Sequence, residues 1–143
     1  MEKTIITNSF EETQKLGFDF AKKVSNMSVL ALYGDLGSGK TTFIQGLAKG
    51  LGINKKIISP TFIIMRSYIV PSILKKEHFY HIDLYRINNE KDIEELDLIE
   101  LMKDIGNLFA IEWPEKIQNL LPEKRFDLHF TYLDENKRKI TIS

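Results

Sequence analysis

The sequence predicts an α/β fold: one domain over residues 1–143, with a mostly parallel central sheet, antiparallel edge strands and helices on both faces. Three observations predict it. Stretches with apolar residues at helical spacing alternate along the chain with short stretches of strand length, the arrangement that packs helices on a sheet. One of the strand-length stretches, "VLALY" at 29–33, is apolar throughout and is followed by Gly34, as expected of a strand covered on both faces. The chain has 143 residues, 43% hydrophobic and 28% charged, which suits one core of ordinary size and leaves no room for large appended domains.

In order, "KTIIT" at 3–7 reads as a first strand. Ser9 and Glu12 then have capping-box spacing, which predicts Ser9 as N-cap and Glu12 reaching back to its amide. Leu16, Phe20 and Val24, at i, i+4 and i+8, give that helix a buried stripe. "VLALY" is the second strand. Phe43, Ile44, Leu47, Ala48 and Leu51 recur at helical spacing, and Gly52 stands where a C-terminal cap belongs.

Farther on, "TFIIMRSYIV" (61–70) and "HFYHIDLYRI" (78–87) read as strands joined by the loop "PSILKKE" (71–77). Asn89 is placed to cap a helical stretch through "DIEELDLIELMKDIG". "LFAIEW" is a further strand, ended by Pro114. "RFDLHFTYL" and "RKITIS" flank the turn-like "DEN" and predict an antiparallel hairpin. There are no repeats and no low-complexity tract.

Composition narrows the function classes. Lys plus Arg (20) equals Asp plus Glu (20), so the formal net charge is zero. A protein gripping nucleic acid mainly through its phosphates is usually basic, so direct binding to tRNA or DNA is not the expectation. No cysteine is present, which removes disulfides, thiol nucleophiles and Cys-based metal sites. The first residues lack the apolar stretch of a signal peptide, and no apolar run is long enough to span a bilayer, so a cytoplasmic location is expected.

The chemistry concentrates in "GDLGSGKTT" at 34–42, which matches G-x-x-x-x-G-K-[ST] with Gly34, Gly39, Lys40 and Thr41 at the defining positions. Glycines let the backbone curl so that successive amides point at phosphate oxygens. A helix starting near Lys40 adds its positive end. Lys40 offers an ammonium to the β- and γ-phosphates, and the Thr41 hydroxyl can reach Mg²⁺. A chance glycine-rich turn is the competing reading. The motif lies between a buried strand and an amphipathic helix, the context it requires, so nucleotide binding and a P-loop NTPase fold are expected.

Hydrolysis also needs acids at neighbouring strand ends. Asp83, in "HIDLYR", and Glu112, closing "LFAIE", are the candidates. A carboxylate there can hold Mg²⁺ directly, hold it through water, or position the attacking water. Each can equally be a solvated strand-end charge or a partner of Lys or Arg. Thr61 in "SPTF" is either a loop residue facing the γ-phosphate or ordinary loop chemistry. His81 and Asp83, at i and i+2, share a strand face; a structural polar face is the readier explanation than a metal pair, since no third ligand is evident. Trp113 is either a packing aromatic or part of a contact surface.

The guanine-reading N-K-x-D is absent: the nearest string, Asn89-Glu90-Lys91-Asp92, has Glu in the lysine position. Adenine is favoured by elimination. A small P-loop kinase acting on a nucleoside or metabolite is the alternative, weakened by having only Arg66, Arg86, Arg125 and Arg138 and no recognisable lid. A nucleotide-dependent binding module without hydrolysis is the third class.

"GDLGSGKTTF", "SPTF", "YHIDLYR" and "IEWPEKI…LLP", in this order and spacing, resemble the TsaE (YjeE) family, bacterial ATPases of tRNA threonylcarbamoyladenosine biosynthesis. The resemblance runs from the first helix to "LLPEKR". It implies a single-domain P-loop ATPase, weakly active alone, that binds ATP/ADP with Mg²⁺ and associates with the TsaB–TsaD pair, TsaD transferring the threonylcarbamoyl group to adenosine 37 of tRNAs. tRNA would be met only through that complex. By the same resemblance, Gly37, Ser38, Gly39, Lys40, Thr41 and Thr42 contact phosphates, Thr41 and Glu112 hold Mg²⁺, and Asp83 is the Walker B-like acid. Thr61 falls in the switch-like segment, and Phe10 lies near the adenine. Ser38 stands where the family often has alanine, a change a small hydroxyl tolerates. The 71–77 loop and the 89–105 segment receive no role.

Overall fold

The computed structural model describes residues 2–57, 65–71, 75–88, 91 and 97–143. Their strands are β1 (Lys3–Thr7), β2 (Val29–Tyr33), β3 (Met65–Ile69), β4 (His78–Asp83), β5 (Asn107–Glu112), β6 (Phe126–Tyr132) and β7 (Arg138–Ile142). The helices are α1 (Phe10–Phe20), α2 (Lys40–Gly50) and α3 (Leu98–Lys103), with 3₁₀ segments at Ala21–Lys23 and Pro114–Leu120. All seven described strands form one sheet in the order β1-β7-β6-β2-β5-β4-β3. The β6-β2, β2-β5 and β5-β4 pairs are parallel, whereas β1-β7, β7-β6 and β3-β4 are antiparallel. Antiparallel strands therefore flank the parallel centre on both edges.

Strand alternation assigns each side chain to a face. Leu30 and Leu32 of β2, Phe79 of β4 and Leu108 and Ala110 of β5 pack with α1 and α2. Val29 and Ala31, Ile82, and Phe109 and Ile111 point the other way, against α3 and the 114–120 segment. The stripe Leu16, Phe20 and Val24 joins the first of these cores. Continuing the alternation, His81, Asp83 and Glu112 lie on the α2 face.

The ends of the elements follow local chemistry. Ser9 Oγ accepts the Glu12 amide at 3.1 Å, as its spacing predicts. The Glu12 carboxylate meets the Asn8 side-chain amide at 3.5 Å, instead of the expected bond to the Ser9 backbone. Helix α2 closes in a Schellman turn: Gly52, at φ +84, donates to Lys49 O, and Ile53 donates to Ala48 O, each at 3.0 Å.

The strand read as 78–87 stops at Asp83. There Asp83 Oδ1 accepts the Tyr85 amide at 3.0 Å, and Ile87 N closes on Leu84 O at 3.0 Å, so the chain turns away from the sheet. Likewise β5 ends at Glu112, and Trp113 turns at φ +61. The strand expected from 61 is described from Met65 onward, and Asn89 lies outside the described residues. No described helix is long and apolar enough to cross a membrane.

Helices α1 and α2 touch through backbone. A Cβ on Gly46 would stand 1.8 Å from Gln14 O, and one on Gly17 would stand 2.1 Å from Phe43 O. This close approach fixes the start of α1 beside the start of α2.

Candidate functional site

A cleft of about 260 Å³ opens at the carboxyl ends of the parallel strands, where α/β sheets place their ligands. Its floor is the loop from Leu36 to Thr42. Asp83, Glu112 and Trp113 line one part; Phe10 and Thr13 of α1 and Glu135, Asn136 and Arg138 of the β6–β7 hairpin line the rest.

The loop has the backbone its glycines predict. Gly34, Gly37 and Gly39 have φ of +146°, +78° and +104°, the region L side chains rarely enter. A Cβ on Gly34 would also stand 2.7 Å from both Phe130 O and Ser38 Oγ. Gly39 is the N-cap of α2 and has no side chain to cap it, so first-turn amides of an 11-residue helix face the cleft with a positive helix end behind them. Ser38 is buried, and its Oγ has no hydrogen-bond partner among the described residues. Unsatisfied donors at a helix start suit an anion with several acceptor oxygens.

Lys40 is 4% exposed. Its Nζ donates to Gly34 O at 2.5 Å and lies 4.3 Å from the centre of the Trp113 ring. Burial holds its pKa below the ordinary lysine value, opposed by the charges of Glu112, Asp83, Glu115 and Asp35. Lys40 is thus a largely buried cation lining the cleft, with Glu112 and Asp83 among the carboxylates that favour its charged form.

The two candidate acids meet. Asp83 and Glu112 are register partners at the ends of β4 and β5, and Leu32, just before the loop, is the partner of Glu112 on β2. Glu112 is 4% exposed, and its Oε2 lies 2.6 Å from Nε2 of His81, which has no exposed surface. The pairing makes Glu112 more than a solvated strand-end charge. Next to it, Trp113 stacks obliquely on Tyr85, the ring centres 5.1 Å apart, and Lys116 Nζ ties the Tyr85 and Ile87 carbonyls from below. "DLYR" and "EWPEK" thus form one packed unit.

Of the residues the sequence singled out, Phe10, Gly37, Ser38, Gly39, Lys40, Thr41, Thr42, Asp83 and Glu112 line the one cleft. Gly34 is not among the lining residues but begins the loop that floors the cleft, and Phe10 is 54% exposed at its rim. Thr61 lies outside the described residues. Sequence reasoning did not anticipate Thr13, Leu36, Glu135, Asn136 or Arg138. Arg138 crosses from β7 to the loop, its Cδ 3.6 Å from where a Gly39 Cβ would stand, while its guanidinium lies over Tyr132 and donates to Asp134 O and Lys137 O. Only the hairpin's place beside β2 through β6 could have revealed it.

Among the described residues no cluster of three or more His, Asp or Glu side chains could hold a metal alone. The oxygen donors present, Thr41 and the two carboxylates, suit a hard cation that takes its other ligands from phosphate and water.

Comparison with known proteins gives concordant matches. The family model described as "Threonylcarbamoyl adenosine biosynthesis protein TsaE" matches residues 7–140. The chain is 40% identical over 141 residues to the tRNA threonylcarbamoyladenosine biosynthesis protein TsaE of Rickettsia bellii, covering 96% of this chain and 92% of that one. It is 36% identical over 136 residues to the Bacillus subtilis protein of the same name, covering 93% and 80%. A crystal structure of Bacillus subtilis YdiB superposes with a TM-score of 0.75 at 27% identity, covering 99% of this chain and 84% of that one.

Proposed function

The chain belongs to the TsaE family of tRNA threonylcarbamoyladenosine biosynthesis, and from that premise we propose that it is a weak, Mg²⁺-dependent ATPase of a single P-loop domain. In this reading it works in the cytoplasm with the TsaB–TsaD pair, supports that pair's turnover, and meets tRNA only through the complex. The observation that carries the reading is the meeting of Lys40 and Thr41 with Asp83 and Glu112 in one cleft.

The residues divide the work. Amides of Gly37 to Thr42 and the start of α2 hold the phosphates. Lys40 Nζ leaves the Gly34 carbonyl for the β- and γ-phosphate oxygens, where its charge offsets what builds up as the bond to the leaving phosphate breaks. Mg²⁺, when bound, neutralises phosphate charge, with Thr41 and Glu112 as the protein groups holding it. Asp83 orients the attacking water. Water adds to the γ-phosphorus, the bond to the β-γ bridging oxygen breaks, and ADP and inorganic phosphate leave. Phe10 borders the adenine. Zero net charge accords with tRNA being bound elsewhere in the complex.

The test follows the fate of the γ-phosphate by phosphorus NMR, in wild type and E112A, with and without a mixture of nucleosides. Transfer to water, lost in E112A while nucleotide is still bound, supports the ATPase. A phosphorylated nucleoside would replace it with the kinase reading.

A further inference from the structure

His81 is a polar side chain buried inside the sheet, with 0% of its surface exposed. It sits in the middle of β4, opposite Ala110 of β5 and Arg66 of β3. The small Ala110 side chain leaves room for the imidazole to lean along the α2 face toward Glu112, two residues on. The contact joins residues 31 apart in sequence, Nε2 to Oε2 at 2.6 Å. The other ring nitrogen, Nδ1, is buried without a partner among the described residues. With a carboxylate oxygen 2.6 Å from Nε2, that ring nitrogen is the one placed to donate.

We propose that His81 is a positioning residue: its Nε2–H clasps one carboxylate oxygen of Glu112 and presents the other to the cleft. A glutamate side chain has three rotatable bonds, and at the end of a strand nothing else described in the structure hydrogen-bonds to this carboxylate. Fixing one oxygen limits Glu112 to a single remaining donor oxygen toward a cation or its water. Such supporting bonds set the orientation of metal-facing carboxylates, and their loss generally costs 10–100-fold in metal affinity or activity. This inference rests on the proposed Mg²⁺-nucleotide site and adds to it a residue that touches neither nucleotide nor metal.

Trp113, the single tryptophan, lines the cleft and supplies the readout. Its fluorescence is titrated with ADP without Mg²⁺, and then with Mg²⁺ at fixed ADP, in wild type, H81L and H81Q, each checked for a cooperative melt. In H81L the half-saturating Mg²⁺ concentration should rise about 10–100-fold, with Mg²⁺-free ADP affinity unchanged. H81Q, which places an amide N–H at similar reach, should recover most of the loss. Should H81L fail to melt cooperatively, H81N, whose amide is too short to reach Glu112, should show the same rise.

An unchanged Mg²⁺ requirement in folded H81L or H81N would overturn the positioning role while leaving the nucleotide site standing. Equal losses with and without Mg²⁺, or no recovery in H81Q, would reduce His81 to a packing residue and overturn it too. If wild type itself shows no Mg²⁺ effect on ADP binding, both this role and the proposed site fail.

Discussion

Replacing Gly46 by alanine tests the packing that sets the cleft. The added Cβ would lie 1.8 Å from Gln14 O, 2.7 Å from Gln14 C and 3.1 Å from Gln14 Cα. All three atoms belong to the backbone of α1, so no side chain can rotate away. Restoring an ordinary contact of about 3.2 Å to that oxygen needs a separation of more than about 1 Å between two helices packed at interior density. Overpacking of this kind costs about 3 kcal/mol at the upper end of its usual range. The better helix propensity of alanine returns about 1 kcal/mol.

A net loss of about 2 kcal/mol corresponds to about 6 °C in Tm for a chain of this size. The assay is thermal and urea unfolding of wild type and G46A beside K15A. The K15A change removes only the exposed Lys15–Asp19 pair and should stay within about 0.5 kcal/mol of wild type. Because α1 carries Phe10 and Thr13 to the cleft wall, G46A should also weaken ADP binding. A G46A melt within a degree of wild type would refute the backbone contact and the reasoning built on it.

Other outcomes follow from single side chains. K40A should fold, yet lose about 10²–10³-fold in hydrolysis by removing the cation aimed at the developing charge; steady-state phosphate release checks this, and a loss under tenfold would contradict it. At the opposite end of the sheet, Lys76 Nζ donates to Met27 O and Ile105 O at 2.5 and 2.6 Å, tying together the starts of β2, β4 and β5. Burial, partly offset by Asp104, lowers its pKa from 10.5 to about 8. Between those values the unfolded chain holds more protons than the folded one, so stability rises with pH there and is flat in this contribution below about 8. The difference in unfolding free energy between wild type and K76Q should therefore climb across that window; a difference that stays level would sink the assignment.

What was legible in the sequence was local. Gly34 to Thr42 carries its chemistry in consecutive residues, and the strand before it and helix after it show in the same few turns of chain. Ser9 and Gly52 cap their helices through bonds spanning three to five residues, so spacing alone finds them. Asp83 and Glu112 could be picked out one at a time as acids closing apolar stretches. That they are register partners, with His81 clasping Glu112, depends on β4 pairing with β5, which no short pattern encodes.

The cleft wall formed by Glu135, Asn136 and Arg138 was invisible for the same reason. It needs the sheet order to bring a hairpin about 100 residues away beside the P-loop. The Gly46 and Gly17 contacts were hidden too, because a glycine inside a helical pattern reads only as a weak helix former until the facing helix is known.

The most direct test of the account is phosphate release from ATP by the purified protein, alone and with TsaB and TsaD, in wild type and E112A. The account predicts slow release alone, clear stimulation by the pair, and no stimulation in E112A. A wild-type rate that the pair leaves unchanged, or stimulation that survives in E112A, would contradict it.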